Sequence, residues 1–233
     1  MAQAKLIFAM PSKGRLKNQC LSWFLERGIE ITQIGGERGY SAAFEGFGDI
    51  EVRLMSSSEI AKALLAGEIH IGITGEDLIK ESAGNWDRQI EFLSRLGFGE
   101  ADLVVGVPDG WIDVSTMADL AEVAADLRHS KGYRLRVATK FTRLTTDYFN
   151  QCAILDYRIV YSSGATEGAP AAGAAEIIVD ITTSGATLSA NNLKILDDGI
   201  ILKSCACLIK SKAADWPNSA LLEYAKLREL MRL

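Results

Sequence analysis

The stretch VDITTSGATL, residues 179–188, closes an apolar run on a single acid. Asp180 is followed, after Ile181, by Thr182, Thr183, Ser184, Gly185, Ala186 and Thr187. A strand that runs into small hydroxyl residues, a glycine and then a short helix makes backbone N–H groups converge on an anion. Thr183, Ser184 and Thr187 can add hydroxyl donors to phosphate oxygens, and Asp180 at the strand end can accept hydrogen bonds from sugar hydroxyls. That combination suits a sugar carrying a terminal phosphate. The plainer alternative is a glycine-containing turn in which Asp180 is a cap.

Four other places offer chemistry. SKGR supplies Lys13 and Arg15 on either side of Gly14. The glycine permits close backbone approach, and the two cations can neutralise phosphate or pyrophosphate, or they form a solvated basic turn before a helix. ITGEDL brings Gly75, Glu76 and Asp77 to another strand end, as helix caps or as contacts to a purine or ribose. Lys140 and Arg143 in ATKFTR follow a strand of the second half. Arg53, in EVRLM, is a strand arginine that either faces a ligand or lies along the surface and pairs there.

Composition narrows the classes. The 233 residues hold 25 Lys and Arg against 30 Asp and Glu, a formal net charge of −5, which argues against a general nucleic-acid binder. No stretch approaches the ~20 apolar residues of a membrane span. The N-terminal apolar run of about six residues is too short for a secretory core, so a cytoplasmic protein is expected. Cys20, Cys152, Cys205 and Cys207 then read as reduced thiols. Cys205 and Cys207 share a strand face, but no ligand partner stands near them in the sequence, so they read as core residues rather than a metal site. His70 and His129 are too few and too far apart for a zinc site.

Elements must hold these loops in place. AKLIFAMP reads as a buried strand, and Leu16, Cys20, Leu21, Phe24 and Leu25 recur at helical spacing up to Gly28. YSAAFEGFGDIEVRLM reads as two strands about a turn, and Ser56 to Ser58 offer N-caps for EIAKALLAG. EIHIGITG and EDLIKESAG give a further strand and helix. A second alternating series starts at ADLVVGVP, with Ser115 as a cap, and runs to EIIVDI. It is followed by the strand-rich LKILDDGIILKSCACLIKS and a closing amphipathic helix. Strands separated by helices of 10–15 residues predict βαβ units with mostly parallel sheets. The two series predict an α/β fold of two lobes flanked by helices, with a cleft between them. The first lobe is expected at residues 1–100 with 211–233, and the second, carrying the hydroxyl-rich loop, at 101–210. Ligands in such sheets sit beyond the carboxyl ends of strands, where all the loops named above fall.

The 22 residues EGAPAAGAAEIIVDITTSGATL, Glu167 to Leu188, resemble the signature of the ATP phosphoribosyltransferases of histidine biosynthesis. The matching choices are Glu167, Gly173, Ala175, Ile178, Asp180, Ile181, Ser184, Gly185, Thr187 and Leu188. PSKGRL, GITGEDL and RVATK are similar to further loops of that family, and the length is that of its short form. The resemblance implies a type II periplasmic-binding-protein-like fold and a catalytic subunit. In the implied reaction adenine N1 of ATP attacks C1 of 5-phosphoribosyl 1-pyrophosphate, giving N1-(5-phosphoribosyl)-ATP and pyrophosphate. No protein nucleophile is expected; positioning and charge carry the rate, with Lys13 and Arg15 as charge stabilisers.

By matched position the resemblance assigns Asp180 through Leu188 to the 5-phosphate and ribose of the sugar diphosphate and Glu167 to the ribose or its magnesium. It assigns Lys13, Gly14 and Arg15 to pyrophosphate or ATP phosphates, and Glu76, Asp77 and Arg53 to the nucleotide. Magnesium is expected mainly through the pyrophosphate oxygens. RLMSSSEIAKAL lacks the family's Arg-Asp and Pro, and ATKFTRLT lacks a Pro after Lys140, so the roles of Arg53 and Arg143 are not fixed by the match. A regulatory subunit resembling histidyl-tRNA synthetase, an octamer of four catalytic and four regulatory chains, and a homodimer of the catalytic chain are implied partners. No nucleic acid or membrane is among them. The rival reading is a cytosolic two-lobe module that binds or senses a small ligand, an architecture that fold alone does not separate from the enzyme.

Overall fold

The structure is a computed structural model that describes residues 5–34 and 39–232. Ala4, at the head of the first expected strand, lies outside the described residues, as do residues 1–3, 35–38 and 233 of the expected first lobe. The chain divides into two compact units, 1–99 with 205–233, and 100–204.

In the first unit a seven-stranded sheet has the order β2-β3-β4-β1-β5-β12-β6. Its strands are β1 (Leu6–Pro11), β2 (Ile31–Ile34), β3 (Ser41–Phe44), β4 (Ile50–Met55), β5 (Ile71–Gly75), β6 (Ile90–Arg95) and β12 (Ala206–Ser211). The helices are α1 (Gly14–Leu25), α2 (Ser57–Ala66), α3 (Glu76–Ser82), α4 (Trp86–Gln89) and α8 (Asn218–Met231). β1 and β5 are almost wholly buried, so they read as continuous apolar runs rather than alternating ones.

One core gathers Phe8, Phe24 and Phe44, whose ring centroids lie 5.1–5.6 Å apart, with Ala220 and Leu227 of α8. Truncating one of these rings to Ala would cost about 3–5 kcal/mol. A second core packs Ile60, Leu64 and Ile69 around α2. Ser56 caps α2 in a reciprocal box with Glu59, and Gly67 ends it at φ 77°. A Cβ on Gly67 would also lie 2.6 Å from the Ala213 carbonyl oxygen, so conformation and space both require glycine.

The second unit has a five-stranded sheet, β11-β7-β10-β8-β9. Its strands are β7 (Ala101–Pro108), β8 (Leu135–Thr139), β9 (Tyr157–Tyr161), β10 (Ile177–Thr182) and β11 (Leu193–Ser204). The helices are α5 (Met117–Lys131), α6 (Thr142–Gln151) and α7 (Ala186–Ala190). α5 starts on Thr116 with Asp119 as the reciprocal partner, one residue beyond the expected Ser115. Arg136 binds Glu176 through its guanidinium, with Nη2 to Oε1 at 2.6 Å, and so ties β8 to the segment before β10.

Two expectations are corrected. The α/β class holds, but both sheets are mixed rather than mostly parallel. β1 runs parallel to β4 and β5, and β8 to β10 and β9, whereas the other pairings are antiparallel. Parallel pairing needs a crossover of a dozen or more residues, which helical segments supply. β2, β3 and β4 are joined by shorter links and pair as a meander. β7 and β12, the strands by which the chain enters each unit from the other, run against their neighbours. The return to the first unit also falls at Cys205 rather than residue 211, because β12 hydrogen-bonds between β5 and β6.

Candidate functional site

β10 is buried through Val179, and Asp180 is half-buried where the strand emerges. β8 lies in parallel register with β10, Ile178 opposite Ala138, so Lys140 and Asp180 fall at the same end of the sheet. β9 runs parallel to β8 as well. The loops after β8, β9 and β10 therefore share one edge, the carboxyl end of three parallel strands.

The turn after β10 is held by its own side chains. Thr182 Oγ1 accepts the Gly185 N–H at 2.9 Å, Ser184 Oγ accepts the Ala186 N–H at 3.4 Å, and Thr183 Oγ1 donates to the Glu100 carbonyl at 3.3 Å. Gly185 sits at φ 74°, a left-handed conformation that a β-branched residue resists. Ala186 opens α7. The N–H groups of Ser184, Thr187 and Leu188 donate to no group among the described residues. Asp180 Oδ1 accepts the Ile181 N–H at 2.8 Å, while Oδ2 has no partner among them. Thr183, Ser184 and Thr187 are exposed. A cavity of about 350 Å³ alongside is lined by Ser184, Gly185, Ser189, Asn192, Lys194 and Asp109.

Glu167 lies in a single 3-10 turn, Thr166–Gly168, half-buried and without a partner among the described residues. The preceding Ala165 holds φ 50°, a costly conformation for a residue with a Cβ, and it sits within this edge. Lys140 places Nζ 5.0 Å over the Phe141 ring. Arg143 pairs with Asp147 at 3.2 Å, one turn along α6.

In the first unit Lys13, Gly14 and Arg15 are exposed at the start of α1, and neither cation forms an ion pair among the described residues. A cavity of about 820 Å³ there is lined by Ser12, Lys13, Tyr40, Leu54, Ser56 and Glu59. Tyr40, 78 % exposed, presents an aromatic face that the sequence reading missed; it stands alone before a short strand, with no spacing to single it out. Arg53 is engaged elsewhere, its Nε 2.7 Å from Glu51 on the same strand face. Glu76 and Asp77 are buried. Glu76 Oε1 meets Lys80 at 2.7 Å and Oε2 meets Arg95, so its contacts are internal. Asp77 lies so near Gly75 that a Cβ there would come 2.3 Å from Oδ1. Both acids thus lie buried at the loop after β5.

No helix among the described residues is long and apolar enough to cross a membrane. The fold is similar to that of an ancestral arginine-binding protein bound to glutamine, with a TM-score of 0.51 at 13 % identity over 100 % of this chain and 92 % of that one. It is more similar to a chain of the ATP phosphoribosyl transferase (HisG:HisZ) complex from Thermotoga maritima, with a TM-score of 0.71 at 22 % identity and 97 % of both chains covered. Fold and loop together define a two-unit α/β protein of the type II periplasmic-binding-protein architecture, with a turn of unmatched backbone donors at one sheet edge.

The family model HisG, described as ATP phosphoribosyltransferase, matches residues 56–232. An ATP phosphoribosyltransferase of Caulobacter vibrioides (strain NA1000 / CB15N) is 53 % identical over 93 % of this chain and 68 % of its own length. The chain belongs to the ATP phosphoribosyltransferase family, pentosyltransferases of histidine biosynthesis, and its role there is the catalytic one. The ligand-sensing alternative shares the fold but lacks this match.

Proposed function

We propose that the chain binds 5-phosphoribosyl 1-pyrophosphate through the turn after β10 and transfers its phosphoribosyl group to adenine N1 of ATP. The observation that carries this reading is the unspent hydrogen-bonding capacity of that turn. The N–H groups of Ser184, Thr187 and Leu188 and the exposed Ser184 and Thr187 hydroxyls are donors without acceptors among the described residues, set beside one carboxylate. A 5-phosphate fits the donors, and the free oxygen of Asp180 fits the ribose hydroxyls.

Transfer develops positive charge on the ribose ring and negative charge on the departing pyrophosphate. Lys13 and Arg15, exposed and without an ion pair among the described residues, are suited to the phosphate charge. Lys140 supplies a further cation at the edge that carries Asp180. Tyr40 offers a face on which a purine can stack. The nucleophile is adenine N1 and the leaving group is pyrophosphate, so the chain has only to position and to neutralise. Glu76 and Asp77 act in this scheme as loop supports, and Arg53 takes no part.

The carboxylate oxygens of Glu167 and the free oxygen of Asp180 are hard donors of the type Mg²⁺ prefers, and they would hold the ion together with substrate pyrophosphate. Bound there, the ion supplies charge neutralisation that makes pyrophosphate a better leaving group.

The reading extends to a short-form catalytic chain that works with a regulatory subunit related to histidyl-tRNA synthetase. It places four of each chain in an octamer and pairs catalytic chains as homodimers. The similarity to a chain of the HisG:HisZ complex, over 97 % of both, supports such a partner. Free thiols at Cys20, Cys152, Cys205 and Cys207 support a cytoplasmic setting. The test mixes the chain with ATP, phosphoribosyl pyrophosphate and Mg²⁺, with and without regulatory subunit, and measures pyrophosphate release and the rise in adenine absorbance. Release in either mixture is expected; none in both would overturn the reading.

A further inference from the structure

Register in the first unit creates a cluster that the sequence separates by about 130 positions. Gly75, the last residue of β5, pairs with Ala206, so Glu76 at the head of α3 falls beside Cys205 and Cys207. The Glu76 N–H donates to the Cys205 carbonyl at 3.1 Å, which fixes the position. A ligand oxygen of Glu76 and the two Sγ atoms all lie within 4.8 Å of one another, and all three residues are buried. Both thiols belong to the core of this unit, as expected, and the sheet brings a carboxylate beside them that the sequence keeps far away.

We propose that Glu76, Cys205 and Cys207 form a site for a thiophilic divalent ion of the Zn²⁺ type, separate from the substrate loops. The two sulfurs are 3.9 Å apart. With Zn–S bonds of about 2.3 Å, two thiolates on a tetrahedral ion stand about 3.8 Å apart. The apo geometry therefore already has the edge that the ion requires. A disulfide would draw the sulfurs to about 2.05 Å, between residues whose Cα atoms in extended chain lie about 6.6 Å apart, near the limit for such a bridge. Two soft donors also select against Mg²⁺, which distinguishes this cluster from the carboxylates of the second unit.

Charge balances on loading. The ion brings two positive charges, the Cys205 and Cys207 S–H bonds break, two metal–sulfur bonds form, and two protons leave to solvent. Lys80 and Arg95 then face the same net charge as before. Arg95 is 61 % exposed on its side chain and can swing outward, while the carboxylate keeps lone pairs for the ion beside those it offers Lys80. No fourth protein ligand is present among the described residues, so water or an outside anion would complete the shell. Because loading releases two protons, binding should weaken with acidification.

The test uses the full chain, reduced and stripped with chelator, and titrated with Cd²⁺ and with Zn²⁺. Expected are one ion per chain, release of two protons per ion, and a thiolate-to-Cd²⁺ charge-transfer band. Cys205→Ser should halve the band and weaken binding at least about ten-fold. Glu76→Gln should weaken binding by a similar factor while keeping the band, and Cys20→Ser and Cys152→Ser should change neither. Absence of the band at one equivalent, or a band and affinity unchanged in Cys205→Ser, would overturn the site; affinity unchanged in Glu76→Gln would overturn the three-ligand assignment. The readout is spectroscopic and independent of turnover, so its failure is distinguishable from failure of the transferase reading.

Discussion

Two loops of this chain look alike as text and are opposite as chemistry. ITGEDL and DITTSGATL both leave a buried strand, pass a glycine and enter a helix with acids or hydroxyls at the joint. After β5, Glu76 and Asp77 are buried and Glu76 is met by Lys80 and Arg95. After β10, the Asp180 carboxylate has an oxygen without a partner among the described residues, Gly185 holds the chain left-handed, and three N–H groups donate to none of those residues. A polar loop at a strand end is ready for a ligand only where the fold has not already provided the partners. Burial with counter-ions makes a brace; exposure with unmatched donors makes a receptor.

That contrast can be broken by substitution. Gly185→Val should have the largest effect, since a β-branched residue strains the left-handed turn and crowds the anion; pyrophosphate release should fall about 100-fold or more with circular dichroism unchanged. Unaltered turnover would mean the turn does not wrap a phosphate. Asp180→Ala comes next. Loss of a charged acceptor should weaken phosphoribosyl pyrophosphate binding by about 10- to 100-fold in calorimetry, with little change in unfolding midpoint.

Glu76→Gln should invert that pattern, lowering stability by about 1–2 kcal/mol in denaturant titration while sugar diphosphate affinity stays within about two-fold. If affinity fell as far as in Asp180→Ala, the division between brace and receptor would be wrong.

A smaller effect should come from pH. His70 is buried between β1 and the segment before α8, its Nδ1 accepting the Ile7 N–H at 3.0 Å and its Nε2 donating to the Asp215 carbonyl at 2.8 Å. Burial lowers its pKa below the ordinary value, so the unfolded chain takes up the proton first as pH falls. Its contribution to stability is therefore complete above about pH 6.5 and is lost progressively below it, toward the folded value. His70→Asn should flatten the stability profile between pH 7 and the onset of carboxylate titration, measured by thermal unfolding. Smallest of all, Arg53→Ala should change stability by less than about 0.5 kcal/mol and leave turnover unchanged, because its partner Glu51 is solvent-exposed.

Much of the candidate site's local geometry was legible because its determinants are local. The turn after Asp180 follows from glycine at one position and hydroxyls around it, and Ser56 announces the start of α2 through Glu59 three residues on. The α/β alternation was equally plain, since each βαβ unit is written in contiguous apolar runs. Strand direction was less so: β7 and β12 are reversed by where the chain enters each sheet, which hydrophobic period does not encode. Tyr40 and Lys194 line cavities without any motif to mark them.

The sequence by itself determined the α/β class, the family resemblance and the turn at Asp180–Thr187, because short-range sterics and hydrogen bonding act within a few residues. Only the tertiary structure decided that Glu76 meets Lys80 and Arg95, that Arg53 meets Glu51, and that Cys205 and Cys207 have a carboxylate beside them. Each of those outcomes depends on sheet register or on which face a side chain shares with another. Such relations join residues that the chain itself keeps apart.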